Sequence, residues 1–143
     1  MNPSNLRARE GVIRGLAQLG RYDEAIAAWQ SLATLAGDSA LAKRLEHARG
    51  RDGYWNIRHH EGRQRLAALE RVSGRRRPLS FIQASFAAGD EERGYREIAR
   101  AEQLGTRGLY RLPCMPEIDE FRDTPRFKAT ASRLKLRAGN QKS

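Results

Sequence analysis

A glycine followed by a short polar turn and an acidic residue returns along this chain at about the length of one helical hairpin, and that recurrence limits the possible folds more than any other feature. In Leu19-Gly20-Arg21-Tyr22-Asp23-Glu24-Ala25-Ile26, Gly20 ends one helix and Asp23 is placed to cap the next. The second helix carries Tyr22, Ala25, Ile26, Trp29, Leu32 and Ala33 on one face, and a helix beginning near Ser4 answers with Val12, Ile13, Leu16 and Leu19. The same grammar recurs at Ala88-Gly89-Asp90-Glu91-Glu92, where Gly89 ends a helix bearing Leu79, Ile82 and Phe86. Asp90 then caps one bearing Tyr95, Ile98, Ala99 and Ala101. Between them Gly53 is read as the turn from a helix with Leu41, Leu45 and Ala48 to one with Trp55, Gly62, Leu66 and Leu69. Gly20, Gly53 and Gly89 then stand 33 and 36 residues apart. Three hairpins are the fewest that bury a continuous core by stacking.

Such a stack leaves its last apolar face open, and the C-terminal segment has the means to cover it. Pro116 opens a short turn carrying Ile118 and Phe121. Pro125 suits the first turn of a last helix with Thr124 or Asp123 as its cap. On that helix Phe127, Ala131 and Leu134 are expected to form an apolar face, while Arg126, Lys128, Arg133, Lys135 and Arg137 point elsewhere.

Charge patterning divides the chain. The net charge is +10, yet residues 43–77 hold eleven basic against four acidic groups and residues 126–143 hold six basic and none acidic. Residues 78–125 between them hold six arginines against nine acids. Basic segments flanking an acidic one fit internal pairing as well as an external anion. No apolar run approaches the roughly 18 residues of a membrane helix, and the start has no signal-like stretch, so a cytoplasmic location without membrane partners is expected. The single cysteine, Cys114, closes no internal disulfide and is expected to be a small buried side chain.

Catalytic and metal chemistry find little footing. In His59-His60-Glu61 the two imidazoles project about 100° apart on a helix and do not form the i, i+4 pair that grips an ion. Gly11-Val12-Ile13-Arg14-Gly15 lacks the Lys and Ser/Thr of a phosphate loop. No catalytic residue, metal or cofactor is expected. Arg71, Arg75, Arg76 and Arg77 form the densest candidate for phosphate contact, although interhelix arginines are ordinarily solvated or paired with nearby acids.

Residues 6–39 resemble a tetratricopeptide repeat (TPR), with Gly20, Tyr22, Ala25, Ile26 and Trp29 at positions where that family places Gly, Tyr, Ala, an aliphatic and an aromatic residue. Arg9 and Ile13 depart from its Trp and Gly, Gly37 stands at its usual terminal Pro, and Gly94 stands at the Ala of the third repeat. A second likeness spans roughly residues 53–136. Gly53-Tyr54-Trp55, Ala87-Ala88-Gly89-Asp90, Leu109, Leu112, Pro116 and Phe121-Arg122-Asp123-Thr124-Pro125-Arg126-Phe127 resemble the C-terminal TPR-like region of bacterial adenylate cyclases and winged-helix transcriptional regulators. In those proteins an Arg-Asp-Pro-Arg-Phe-like run caps the stack, and here Thr124 is inserted in it.

The fold expected is all-α, a right-handed stack of three TPR-like hairpins closed by a short capping helix. It forms a single domain over residues 1–138, with repeats at about 5–38, 39–73 and 78–104, a cap at 116–137 and a disordered tail at 139–143. The resemblance implies that the first helices of the repeats line a concave surface that takes peptides. Arg7, Glu10, Arg14, Gln18, Lys43, His47, Arg51 and Gln83 fall on it. That basic lining fits an acidic peptide or a C-terminal carboxylate as ligand, and the resemblance implies a non-catalytic protein-interaction module, the regulatory or scaffolding part of a bacterial signalling or transcription protein. The alternative is a nucleic-acid-binding accessory domain acting through residues 43–77 and 126–142. A homodimer through Leu6, Val12 and Ile13 is a further expectation.

Overall fold

The computed structural model describes residues 3–72 and 77–141, and among these every regular element is helical. Seven α-helices follow in order: α1 (Pro3–Gln18), α2 (Tyr22–Leu35), α3 (Ser39–Glu46), α4 (Gly50–Arg71), α5 (Pro78–Ala87), α6 (Glu91–Gln103) and α7 (Pro125–Gln141). Two 3-10 helices, Leu109–Cys114 and Pro116–Ile118, lie between α6 and α7. The sequence reading has one domain over residues 1–138. The backbone gathers into two compact units, Met1–Arg58 and His59–Ser143, with the boundary inside α4.

Four of the described helices end the same way. After α1 the Gly20 N–H bonds to the Ala17 carbonyl at 3.0 Å and the Arg21 N–H to Leu16 at 2.9 Å, with Gly20 at φ 76°. Gly37, Gly89 and Gly105 repeat this after α2, α5 and α6. It is the Schellman ending, in which a left-handed residue turns the chain back to satisfy the last carbonyls, a conformation that favours glycine. Helix starts are specified as locally. Asp38 Oδ1 accepts the Leu41 N–H at 3.1 Å, Asp90 Oδ1 accepts the Arg93 N–H at 3.2 Å, and Thr124 Oγ1 accepts the Phe127 N–H at 3.2 Å. Each cap contributes about 1 kcal/mol.

Two expected turns are corrected. The turn before α4 is made by Gly50, at φ 67°, whereas Gly53 lies inside α4 against the Ala48 backbone. Asp23 does not cap its own helix. It sits within the first turn of α2, whose N-cap is Arg21, and its carboxylate accepts the Gly50 N–H at 2.7 Å, so it caps α4 from 27 residues away. The expected tail is helical as far as Gln141, because the i to i−4 ladder runs on through Gly139 and Asn140; residues 142–143 lie outside the described residues.

In the first unit α1 packs on α2 and α2 on α3. The core joins Ile13, Ala25, Ile26, Trp29, Ala33, Leu41, Leu45, Tyr54 and Ile57. Tyr54 lies with its ring centroid 5.6 Å from Tyr22, 5.8 Å from Trp29 and 5.1 Å from Trp55, edge or tilted contacts that aromatic quadrupoles favour. Burial therefore falls on Tyr54 and Ile57, with Trp55 only partly covered, one position away from the expected stripe. Val12 and Leu19 are exposed, so Ile13 and Ala17 carry the inward side of α1.

In the second unit α5 packs on α6 and the 3-10 segments close over them. Phe86 is 1 % exposed and meets Tyr95, Phe121 and Phe127 at centroid distances of 5.4, 5.4 and 6.2 Å. A methyl on Gly94 would come within 2.6 Å of the Phe86 ring, which explains glycine where the resembled repeat has alanine. Ala99, expected inward, is exposed. Cys114, expected to be buried, is exposed too, because Leu109 and Leu112 take the inward positions of its 3-10 helix.

The closing segment is pinned by one side chain. Arg122 donates from Nε to the Pro113 carbonyl at 3.0 Å, from Nη2 to Met115 at 3.0 Å and from Nη1 to Asp119 at 2.5 Å. A flat guanidinium serves three acceptors at once, which an ammonium does not. Arg122→Lys is expected to lose about 2 kcal/mol, and Arg122→Ala slightly more, in urea unfolding followed by circular dichroism. A lysine variant as stable as the parent would show that charge alone holds the segment.

Candidate functional site

The strongest polar constellation in Met1–Arg58 forms where α1 meets the first part of α4. Arg58 Nη1 lies 2.7 Å from Glu10 Oε1 and its Nε donates to the Tyr54 hydroxyl at 3.0 Å. Its guanidinium carbon stands 4.0 Å from the centre of the Trp29 ring and 5.2 Å from that of Tyr54. This cation is locked between a carboxylate and two aromatic faces. Burial pushes the Tyr54 phenol above its ordinary range, and the neighbouring Arg58 partly offsets the rise. Arg14 reaches the same Glu10 oxygen, at 3.4 Å from its Nε, and remains 33 % exposed.

Of the eight groove residues expected from the sequence, the structure joins Glu10 to Arg14 and adds Arg58, which the sequence reading missed. Arg7 shares their face of α1 and is exposed, as is Gln18 at the end of that helix. Lys43, His47 and Arg51 are exposed on α3, after its end and on α4. Lys43 looks toward α2: with Gln30, Thr34, Ser39, Ala42 and Glu46 it lines a cleft of about 320 Å³. A neighbouring cleft of about 510 Å³ shares Gln30 and Glu46 and has Ile26, Ala27, Leu45 and Ala48 as its apolar lining. No α1 residue lines either cleft. Gln83 belongs to the other unit, where its amide accepts from Arg65 at 3.4 Å and donates to the Met115 sulfur at 3.1 Å.

Charge segregation along the chain is largely resolved by pairing inside His59–Ser143. Arg126 meets Glu92 at 2.5 Å, Arg133 meets Glu102 at 2.6 Å, Arg93 meets Glu70 at 2.6 Å and Arg65 meets Glu117 at 3.2 Å. In three of these pairs the basic segments supply the counterion to the acidic one between them, and in the Arg93–Glu70 pair the direction is reversed. In the alternative phosphate patch Arg71 and Arg77 are exposed, and Arg75 and Arg76 lie outside the described residues.

The two adjacent histidines have separate partners, as their angular offset requires. His59 Nε2 is 2.5 Å from Glu120 and its ring lies against Gly89, whereas His60 Nε2 is 3.2 Å from the Gln64 amide. Among the described residues no group of three His, Cys, Asp or Glu side chains stands close enough to hold a metal ion, and no helix is long and apolar enough to cross a membrane. Of the residues expected to support a dimer, Val12 is exposed, Leu6 half-buried and Ile13 fully buried in the core.

Comparison with protein-family models, with curated proteins and with solved structures returns no match. Arg58 had one sequence signal: it lies four residues after Tyr54, on the same helical face. A cation on a face carrying a core aromatic has to be partnered, and Glu10 and Trp29 partner it.

Proposed function

We propose that this chain is a non-catalytic interaction module of TPR-like build, the regulatory or scaffolding part of a bacterial signalling or transcription protein, and that Met1–Arg58 binds an acidic peptide segment. One observation carries the reading. A single carboxylate oxygen, Glu10 Oε1, is shared by Arg14 and Arg58, so two guanidinium groups stand around one acid, and the exposed Arg7 precedes Glu10 by about one turn on the same face of α1. The excess positive charge is partly exposed at Arg14 and exposed at Arg7. A carboxylate from a ligand would enter that imbalance as a second acceptor, and guanidinium forks grip carboxylates in two-pronged fashion. Arg58 is held by its aromatic neighbours and so needs little ordering on binding, which spares affinity. Lys43, His47 and Arg51 add exposed cationic or polar contacts on the same unit.

The test is fluorescence anisotropy with a labelled glutamate-rich peptide at about 0.15 M salt, where exposed charges beyond roughly 8 Å are screened. An Arg14→Ala/Lys43→Ala double variant is expected to bind at least about tenfold more weakly, a loss of about 1.4 kcal/mol. A peptide of the same length with glutamines in place of glutamates is expected not to bind. Unchanged affinity in the double variant would refute the site.

A further inference from the structure

By charge count the segment holding α6 is acidic, but the helix it forms presents arginines to solvent. Of its four glutamates, Glu97 is 9 % exposed as a residue and the Glu102 side chain 11 %, so both face inward. Glu102 pairs with Arg133, Glu92 is bridged by Arg126 through both nitrogens, at 2.5 and 3.4 Å, but stays 75 % exposed on the outer side, and Glu91 is half-buried. Arg96 stands one turn after Glu92, close enough to add to the lowering of its pKa that Arg126 dominates, and Arg100 follows one turn later. Arg126 is steadied over the Tyr95 ring at 3.9 Å. Neither Arg96 nor Arg100 has an ion-pair partner among the described residues, and both are exposed. The two ion pairs set Arg126 and Arg133 beside α6 at positions ten residues apart, about 15 Å of helix.

We infer that the outer face of α6, with Arg96 and Arg100 flanked by Arg126 and Arg133 from α7, is a docking surface for the phosphodiester backbone of nucleic acid. Its cations are all arginines, whose planar forks match phosphate oxygens. About 15 Å of duplex axis passes four or five phosphates of one strand at ~3.4 Å each, against two guanidinium groups unpaired among the described residues, Arg96 and Arg100, and two, Arg126 and Arg133, that would exchange a carboxylate partner for a phosphate. Contact is to the backbone alone, so binding is indifferent to base sequence. None of its residues belongs to the arginine run at 71–77 or to the proposed peptide site.

The experiment titrates the full chain with a fluorescein-labelled DNA duplex over a range of salt concentrations. The expected result is binding at low salt, with a log–log salt slope that falls by about 0.9 for each of Arg96→Ala and Arg100→Ala. Glu92→Gln, which releases Arg126 from its internal partner, is expected to tighten binding severalfold, an outcome that a merely structural ion pair would not give. Polyglutamate of matching charge, and vesicles rich in anionic lipid, are expected to compete at least tenfold less well than unlabelled duplex. No binding at low salt, an unchanged slope in the Arg96→Ala/Arg100→Ala double variant, or equal competition by polyglutamate or vesicles each overturns the proposal. The surface variants touch no core contact, and Arg14→Ala/Lys43→Ala, which tests the peptide site, is expected to leave duplex binding unchanged.

Discussion

Gly62→Ala is expected to destabilise His59–Ser143 by about 3 kcal/mol or more, beyond the usual range for adding one methylene to a core. A β-carbon at this position would lie 2.2 Å from the Ala87 carbonyl carbon, 2.4 Å from its oxygen and 2.4 Å from the Ala88 nitrogen. All three atoms are backbone at the end of α5, so no rotamer change relieves the contact and α4 has to move away from α5. The sign makes the test sharp, because glycine to alanine within an unobstructed helix stabilises by up to about 1 kcal/mol. Gly11→Ala in α1, where a β-carbon would meet no heavy atom within 4 Å, is the matched control and is expected to raise stability. Urea unfolding followed by circular dichroism reads both. A neutral Gly62→Ala would mean that α4 and α5 do not approach this closely.

Phe86→Ala is expected to cost about 3 to 5 kcal/mol, the range for emptying a buried aromatic site. The ring is fully enclosed and touches three other aromatic rings, two of them, Phe121 and Phe127, from the closing segment and α7. Its loss therefore loosens the closure as well as the hairpin. Gly94 supplies a second-site check. In the parent chain Gly94→Ala drives a methyl to within 2.6 Å of the Phe86 ring and is expected to destabilise. In the Phe86→Ala background the same methyl enters the vacated space, so the double variant is expected to be more stable than Phe86→Ala alone. Simple additivity of the two losses would contradict the packing described.

The helix boundaries show which parts of the fold are legible in a sequence. Gly89-Asp90 is readable because the Schellman bonds and the cap close within five residues, so composition alone specifies the turn. The choice between Gly50 and Gly53 is not local: it is settled by the Asp23 carboxylate accepting the Gly50 N–H, a partner 27 residues away. The same bond explains why Asp23 does not cap its own helix. Pro125 and Thr124 open α7 as their types demand, and Phe127 and Leu134 lie buried on the expected face.

The candidate sites divide along the same line. Arg7, Glu10 and Arg14 are legible as one face of α1 because helical spacing is regular. Arg58 is not, because nothing in the sequence says that Trp29 and Glu10 converge on it. A linear charge sum describes residues 78–125 as acidic, and it misleads about α6, since the inward turn of Glu97 and Glu102 is a property of packing.

The most direct measurement is a crossed titration of the full chain with a glutamate-rich peptide and a DNA duplex, run on Arg14→Ala/Lys43→Ala and on Arg96→Ala/Arg100→Ala. An interaction module that grips acidic peptide through α1 and α3 predicts that the first variant loses peptide binding at least about tenfold and that the second keeps it. Peptide affinity untouched by Arg14→Ala/Lys43→Ala, or lost only on changing α6, would contradict the account.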